Sequence, residues 1–386
     1  MLDKVPCILL SAALSVFAFA RMLEPPRISA VSRSDERLAE MAAERPELLP
    51  QALKRNPASP FRWCELGAAL LDNGYIEDAR ICFERALVLG PNLVSNLSLV
   101  SRFYDRIGER VESLKCSARI LHLAPSYAQG ILESYTSSNY RLTDTLNYGL
   151  PPDPAVGRAY FRILLRGNEP ETIRQAWTWL SERKIPDREL TDLYIDYLVK
   201  IQDYVQAREL RLAGLGEKHG NYLSTEFIYN GGFEDEPSGS ILDWRISRAQ
   251  GAEAARDSDT ARSGKYSLRI EFSGDTNIAY RHVAQDTLLG MGAYRFRAFV
   301  RTEGISTDKG IALRIYDADS PGRLNYRTGQ LLGTNSWTEL NARLVVGEDT
   351  ERVRIEVVRD QSGRFDNLIK GRVWIDDITL KYADVR

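Results

Sequence analysis

The spacing of apolar residues along the chain changes once, around Gly214 to Thr225. Upstream, from Pro60, large apolar side chains recur three or four positions apart, as one face of a helix requires; downstream they alternate with polar ones, as half-buried strands require. A third segment stands apart: Val5 to Ala20 is one apolar run between Lys4 and Arg21. The pattern predicts a multidomain, α-then-β chain. Residues 1–22 form a membrane or signal helix, 23–58 a Pro-punctuated linker with short helices, 59–220 a helical-repeat α-solenoid, and 225–386 an antiparallel β-sandwich of jelly-roll type.

In the helical half, Trp63, Leu66-Gly67, Leu70, Gly74, Ala79, Phe83, Ala86 and Pro91 stand at the offsets of a tetratricopeptide (TPR) unit, whose repeat is about 34 residues. A second unit follows in phase with Leu97, Val100, Tyr104, Gly108, Ser113 and Pro125. Beyond it the period drifts and Leu150-Pro151-Pro152 interrupts it. Two further helix pairs are expected, Val156 to Leu165 with Ile173 to Ser181, and Glu189 to Lys200 with Val205 to Leu215, the last capping the stack. Stacked hairpins of this kind leave a groove that takes a protein partner. Trp177, Trp179, Tyr194, Tyr197 and Tyr204 read as helix packing, and His122 and His219 have no nucleophile beside them.

In the β half, the runs Ser267 to Phe272, Tyr294 to Val300, Ile311 to Tyr316 and Arg352 to Val358 alternate, and about eight to ten strands are expected. The ordered segments Asn230-Gly231-Gly232-Phe233-Glu234, Trp244, Ala261 to Leu268, Gly292-Ala293-Tyr294 and Trp374-Ile375-Asp376-Asp377-Ile378 resemble jelly-roll carbohydrate-binding modules of the cellulose- and xylan-binding type. The resemblance implies a structural calcium, with Glu234 and Asp376 as side-chain ligands and backbone oxygens near Ser263 to Lys265 as additions. Surface carboxylates are the alternative. Alternation turns Arg297, Phe299, Arg314, Tyr316 and Arg354 outward, and arginine with aromatic rings suits a glycan, an acidic one especially. A solvated face of paired arginines is the competing reading. Trp337 and Trp374 are expected to pack. Asp317, Asp319, Asp366 and Asp377 do not suggest the paired carboxylates of a glycosidase.

Composition narrows the function classes. The 386 residues carry a net charge of −2, which gives no basic footprint for nucleic acid. The four cysteines, Cys7, Cys64, Cys82 and Cys116, form no CxxC pair; Cys64 and Cys82 could meet across one hairpin, with small buried thiols the plainer reading. The Val5–Ala20 run is short for a spanning helix, and Ala18-Phe19-Ala20 fits a cleavage site, while Arg21-Met22-Leu23 can extend an uncleaved anchor. Either way the remainder is exported; a buried N-terminal helix of a cytosolic protein is the alternative. The whole chain reads as a non-enzymatic adaptor of the bacterial cell envelope, anchored in the inner membrane facing the periplasm or released into it. It would bind a protein through its repeats and a polysaccharide through its sandwich, in exopolysaccharide or envelope-glycan assembly or export. The alternative is a purely structural protein–protein scaffold whose sandwich binds no sugar.

Overall fold

The computed structural model describes residues 56, 58–138, 140–167 and 169–383. The expected leader helix (1–22) and nearly all of the linker (23–58) lie outside the described residues. Among the described residues no helix is long and apolar enough to cross a membrane. The chain divides into two compact units, one running to Pro186 and the other beginning at Asp187.

The first unit is a run of helix hairpins. α1 (Pro60–Asp72) starts where Ser59 caps the Arg62 N–H and Pro60 occupies the first turn, and α2 (Ile76–Leu89) ends at Gly90. α3 (Val94–Arg106) and α4 (Arg110–Leu123) repeat the pair in phase, with Gly74 and Gly108 both at positive φ in the turns. Gly67 is required by packing: a Cβ there would come within 2.8 Å of the Phe83 ring. Phe83 in turn stacks on Phe103 at 4.4 Å, joining the first hairpin to the second. Buried Asn96 completes the joint, donating to Ala86 O (2.8 Å) and Gly90 O (2.9 Å) while accepting from Cys64 Sγ (3.0 Å). Cys64 and Cys82 are free buried thiols, and burial pushes them up to about 12 and about 11. After α5 (Ala128–Ser137) the repeat breaks in a π-type turn at Thr145–Gly149; α6 (Pro154–Gly167) and α7 (Pro170–Glu182) complete the unit.

The second unit opens with the hairpin expected to cap the solenoid, α8 (Arg188–Lys200) and α9 (Tyr204–Leu215). Its contacts explain why the boundary falls at 186/187 rather than at the 220/225 change of period. Arg211, 3% exposed, lies between Asp192 (3.2 Å) and the fully buried Asp243 (3.6 Å), with its guanidinium over Tyr229. Asp196 accepts from Ser240 Oγ and Ile241 N, and Tyr204 donates to Asp319 at 2.7 Å. Removing one side of a buried ion pair strands the other charge, so these bonds hold the hairpin firmly to the β segment.

The sandwich contains ten strands: β1 (Arg245–Ile246), β2 (Ala252–Asp257), β3 (Ser267–Ser273), β4 (Tyr280–Leu288), β5 (Gly292–Ile305), β6 (Ala312–Asp317), β7 (Asn325–Arg327), β8 (Gly333–Val346), β9 (Arg352–Arg359) and β10 (Lys370–Tyr382). They form two five-stranded antiparallel sheets, ordered β1-β4-β9-β6-β7 and β2-β3-β10-β5-β8. Tyr294, Phe296, Ala298 and Val300 from one sheet, and Val353, Ile355, Val357, Leu313 and Ile315 from the other, are fully buried, as period-two alternation predicts. Trp374 is also buried, packed beneath Arg301 and Arg372 with its indole N–H on Asp257.

Candidate functional site

Cross-strand register assembles a charged outer face on sheet β1-β4-β9-β6-β7. In one row Arg245 faces Ala284, which faces Glu356, then Arg314, then Arg327. In the next, Asp286 faces Arg354, then Tyr316, then Asn325. Asp286 is fully buried and gathers three arginines: Arg354 in a fork at 2.6 and 3.0 Å, Arg245 at 3.1 Å and Arg352 at 3.6 Å. The hydrogen bond to Asp286 is the main cause that raises the Arg354 pKa, and the fork fixes that side chain in place.

Beside this compensated cluster the face is left unfinished. Glu356 is 7% exposed, and burial raises its carboxyl above the usual range. Its Oε2 has no hydrogen-bond partner, the nearest cation being Arg281 at 3.8 Å. Arg314, directly across from Glu356, lies over Tyr316 with its guanidinium 4.0 Å from the ring centre, and its Nε donates to Asn325. A buried acceptor without a donor carries a desolvation cost that a hydroxyl from a ligand removes, and a stacked guanidinium is a flat, donor-rimmed platform. Arg281 and Arg327 both reach Asp360 at the rim.

The expected binding set therefore divides. Arg314, Tyr316 and Arg354 share this face, but Arg297 and Phe299 lie on β5, in the other sheet, and turn away from it. They cannot join one site: the alternation gave each strand's outward residues correctly, while sheet membership depends on long-range pairing. Arg297 pairs with Glu339 at 2.8 Å and holds that carboxyl below its usual range, and Phe299 lies under Arg262 at 3.4 Å. Arg354 is committed to Asp286, and Tyr316 is covered by Arg314, so Glu356, Arg281 and Arg327 join Arg314 as the residues that can meet a ligand. The Arg-x-Arg-x-Glu alternation from Arg352 to Glu356 was the signal for Glu356; Asp286 had none, because its partners come from two other strands, β1 and β9.

Glu234 and Asp376 are brought together, each close to Gly232, where a Cβ would stand 3.5 Å from Asp376 Oδ1 and 3.9 Å from Glu234 Cγ. Their oxygens accept backbone N–H groups. Glu234 Oε1 takes Lys265 (2.9 Å) and Tyr266 (3.0 Å), and Asp376 Oδ2 takes Arg262 (2.7 Å) and Ser263 (3.2 Å). Two glycines make the approach possible. A Cβ on Gly264, at φ +60°, would lie 2.2 Å from Glu234 Oε1, and one on Gly231 would lie 2.0 Å from Ile378 O. The widely spaced signature segments are thus one hydrogen-bonded brace between the entry loop, the 262–266 loop and β10. Among the described residues no three or more His, Cys, Asp or Glu side chains are grouped to hold a metal, so calcium here would need the same two carboxylates and backbone carbonyls for the remainder.

Comparison with known proteins bears on the same segment. Residues 225–363 match the family described as "Carbohydrate binding domain". That stretch contains Asp286, Arg314, Tyr316 and Glu356. Among solved structures, the module TmCBM61 in complex with β-1,4-galactotriose is 21% identical, covering 42% of this chain and 100% of its own length at a TM-score of 0.30. A CBM22 xylan-binding domain from Paenibacillus barcinonensis is 11% identical, covering 42% and 97%, with a TM-score of 0.29. A CBM4 structure is 16% identical over 40% and 99%, with a TM-score of 0.30. No curated protein matches the chain.

Proposed function

We propose that the chain is a non-enzymatic adaptor that binds a polysaccharide on the outer face of sheet β1-β4-β9-β6-β7 and a protein through its helical unit. The observation that carries the glycan reading is the orphaned, buried Glu356 Oε2 opposite the Arg314 platform, within a segment that matches a carbohydrate binding domain. A sugar hydroxyl would donate to Glu356 while the ring lies on the Arg314–Tyr316 stack. Affinity electrophoresis of the whole protein through galactan, xylan and acidic polysaccharides tests this. Retardation by at least one polymer that is lost in Glu356→Gln and Arg314→Ala supports the site; retardation unchanged in both variants removes it.

The in-phase return of α1–α2 as α3–α4 supports tetratricopeptide-type repeats. In that unit Arg102 lines a cavity of about 220 Å³ with Ser98, Ser101, Ser117 and Tyr140, and its Nε has no partner. Burial lowers the Arg102 pKa, and although Asp105 lines the same cavity, an acidic group of a protein partner would supply the Nε with an acceptor. The apolar run at Val5–Ala20 motivates envelope localisation, in the inner membrane or released to the periplasm, which fractionation of cells would test. Calcium at Glu234 and Asp376 is proposed as an optional reinforcement of the brace. A melting temperature that rises with calcium and falls with chelator supports it, and an unchanged one rejects it.

A further inference from the structure

We propose that the opposite side of the sandwich, the outer face of sheet β2-β3-β10-β5-β8, is a second ligand face that takes the carboxylates of an acidic polysaccharide. Its centre is a row of cations. Arg295 on β5 stands directly opposite Arg343 of β8 on one side and Lys381 of β10 on the other, and all three are exposed. Lys381 has Glu226 at 3.5 Å, whereas among the described residues neither Arg295 nor Arg343 enters an ion pair, Arg295 acting on Glu339 only at longer range. Like charges placed directly opposite on neighbouring strands destabilise a sheet. A cation on an edge strand guards against stray pairing, which accounts for Arg343 on β8. It does not account for Arg295 and Lys381, which stand on interior strands.

What relieves such a row is a polymer of like, negative groups. Neighbouring strands lie about 4.8 Å apart, so the three cations form a short linear array across the sheet that successive uronate rings can follow. One row further along, Arg297 is already neutralised by Glu339. An anionic membrane presents negative groups too, and the test below separates it from the polymer.

The test uses the whole protein with polygalacturonate and its fully methyl-esterified counterpart, which share a backbone and differ in charge. The wild type should bind the charged polymer more tightly, with affinity falling as salt rises. The double variant Arg295→Gln with Arg343→Gln should lose that affinity by about tenfold or more. Its binding of neutral polymers should not change, and its melting temperature should be unchanged or higher. Should the double variant fold poorly, Arg343→Gln on the edge strand alone should show the loss in part. Equal binding of the two polymers, full polygalacturonate affinity in the variants, or binding to anionic phospholipid vesicles in place of the polymer would each overturn the proposal.

Discussion

On the outer face of sheet β1-β4-β9-β6-β7 arginines converge on buried acids, with Arg245, Arg352 and Arg354 around Asp286. On the outer face of sheet β2-β3-β10-β5-β8 they stand in register with other cations, with Arg295 between Arg343 and Lys381. The same residue type thus has two uses. A half-buried guanidinium with a carboxylate fork is fixed and shapes a surface, so the unsatisfied acceptor beside it, Glu356 Oε2, becomes the selective position. An exposed guanidinium without a fork stays mobile and contributes charge rather than geometry.

The sharpest way to break the contrast is Asp286→Ala. Three arginines would lose their common counter-charge, and removal of one partner of a buried ion pair costs about 3–5 kcal/mol. Urea unfolding of the full chain should show this as a lower midpoint; an unchanged midpoint would place the cluster in water and remove the distinction between the faces. Gly264→Ala comes next. It combines a left-handed φ with a collision against Glu234, and it should cost about 1–3 kcal/mol by the same measurement while leaving the arginine cluster intact.

The third prediction concerns pH. Burial raises the Glu356 carboxyl, so the native state holds its proton where the unfolded chain has released it. The stability due to this group is complete below the ordinary carboxylate pKa and is lost as pH rises through the raised folded value. Glu356→Gln should remove that decline, and melting temperatures across about pH 4 to 7 would show a flatter profile than the wild type's. A profile of unchanged slope would mean that Glu356 does not titrate in this window. The smallest effect belongs to the cation row: Arg343→Gln should leave stability unchanged or raise it by about 0.2–1 kcal/mol. A clear loss would mean that Arg343 has a structural partner.

Much of this was legible in the sequence. Helical spacing placed α1 to α4 because Gly67, Ala79 and Phe83 can pack only at those offsets, and alternation placed Tyr294 to Val300 and Arg352 to Val358 with the correct side inward. Glu234 and Asp376, expected as calcium ligands, both reach the 262–266 loop, where backbone amides donate to them. What was not legible depends on contacts between distant segments. Nothing local in Arg297 and Arg314 says that their strands enter different sheets. Nothing in the period of α9 says that Arg211 will bury itself against Asp243 and carry the last hairpin into the sandwich unit.

The central claim is that glycan binds on the Arg314–Glu356 face. Hydroxyl-radical footprinting of the full chain with and without a retained polysaccharide tests it most directly. Protection is expected across the peptide spanning Ala312 to Arg327, which carries Arg314 and Tyr316, when a neutral polymer is bound. Protection confined to Gly292–Ile305 of the opposite sheet, or none on either, would contradict it.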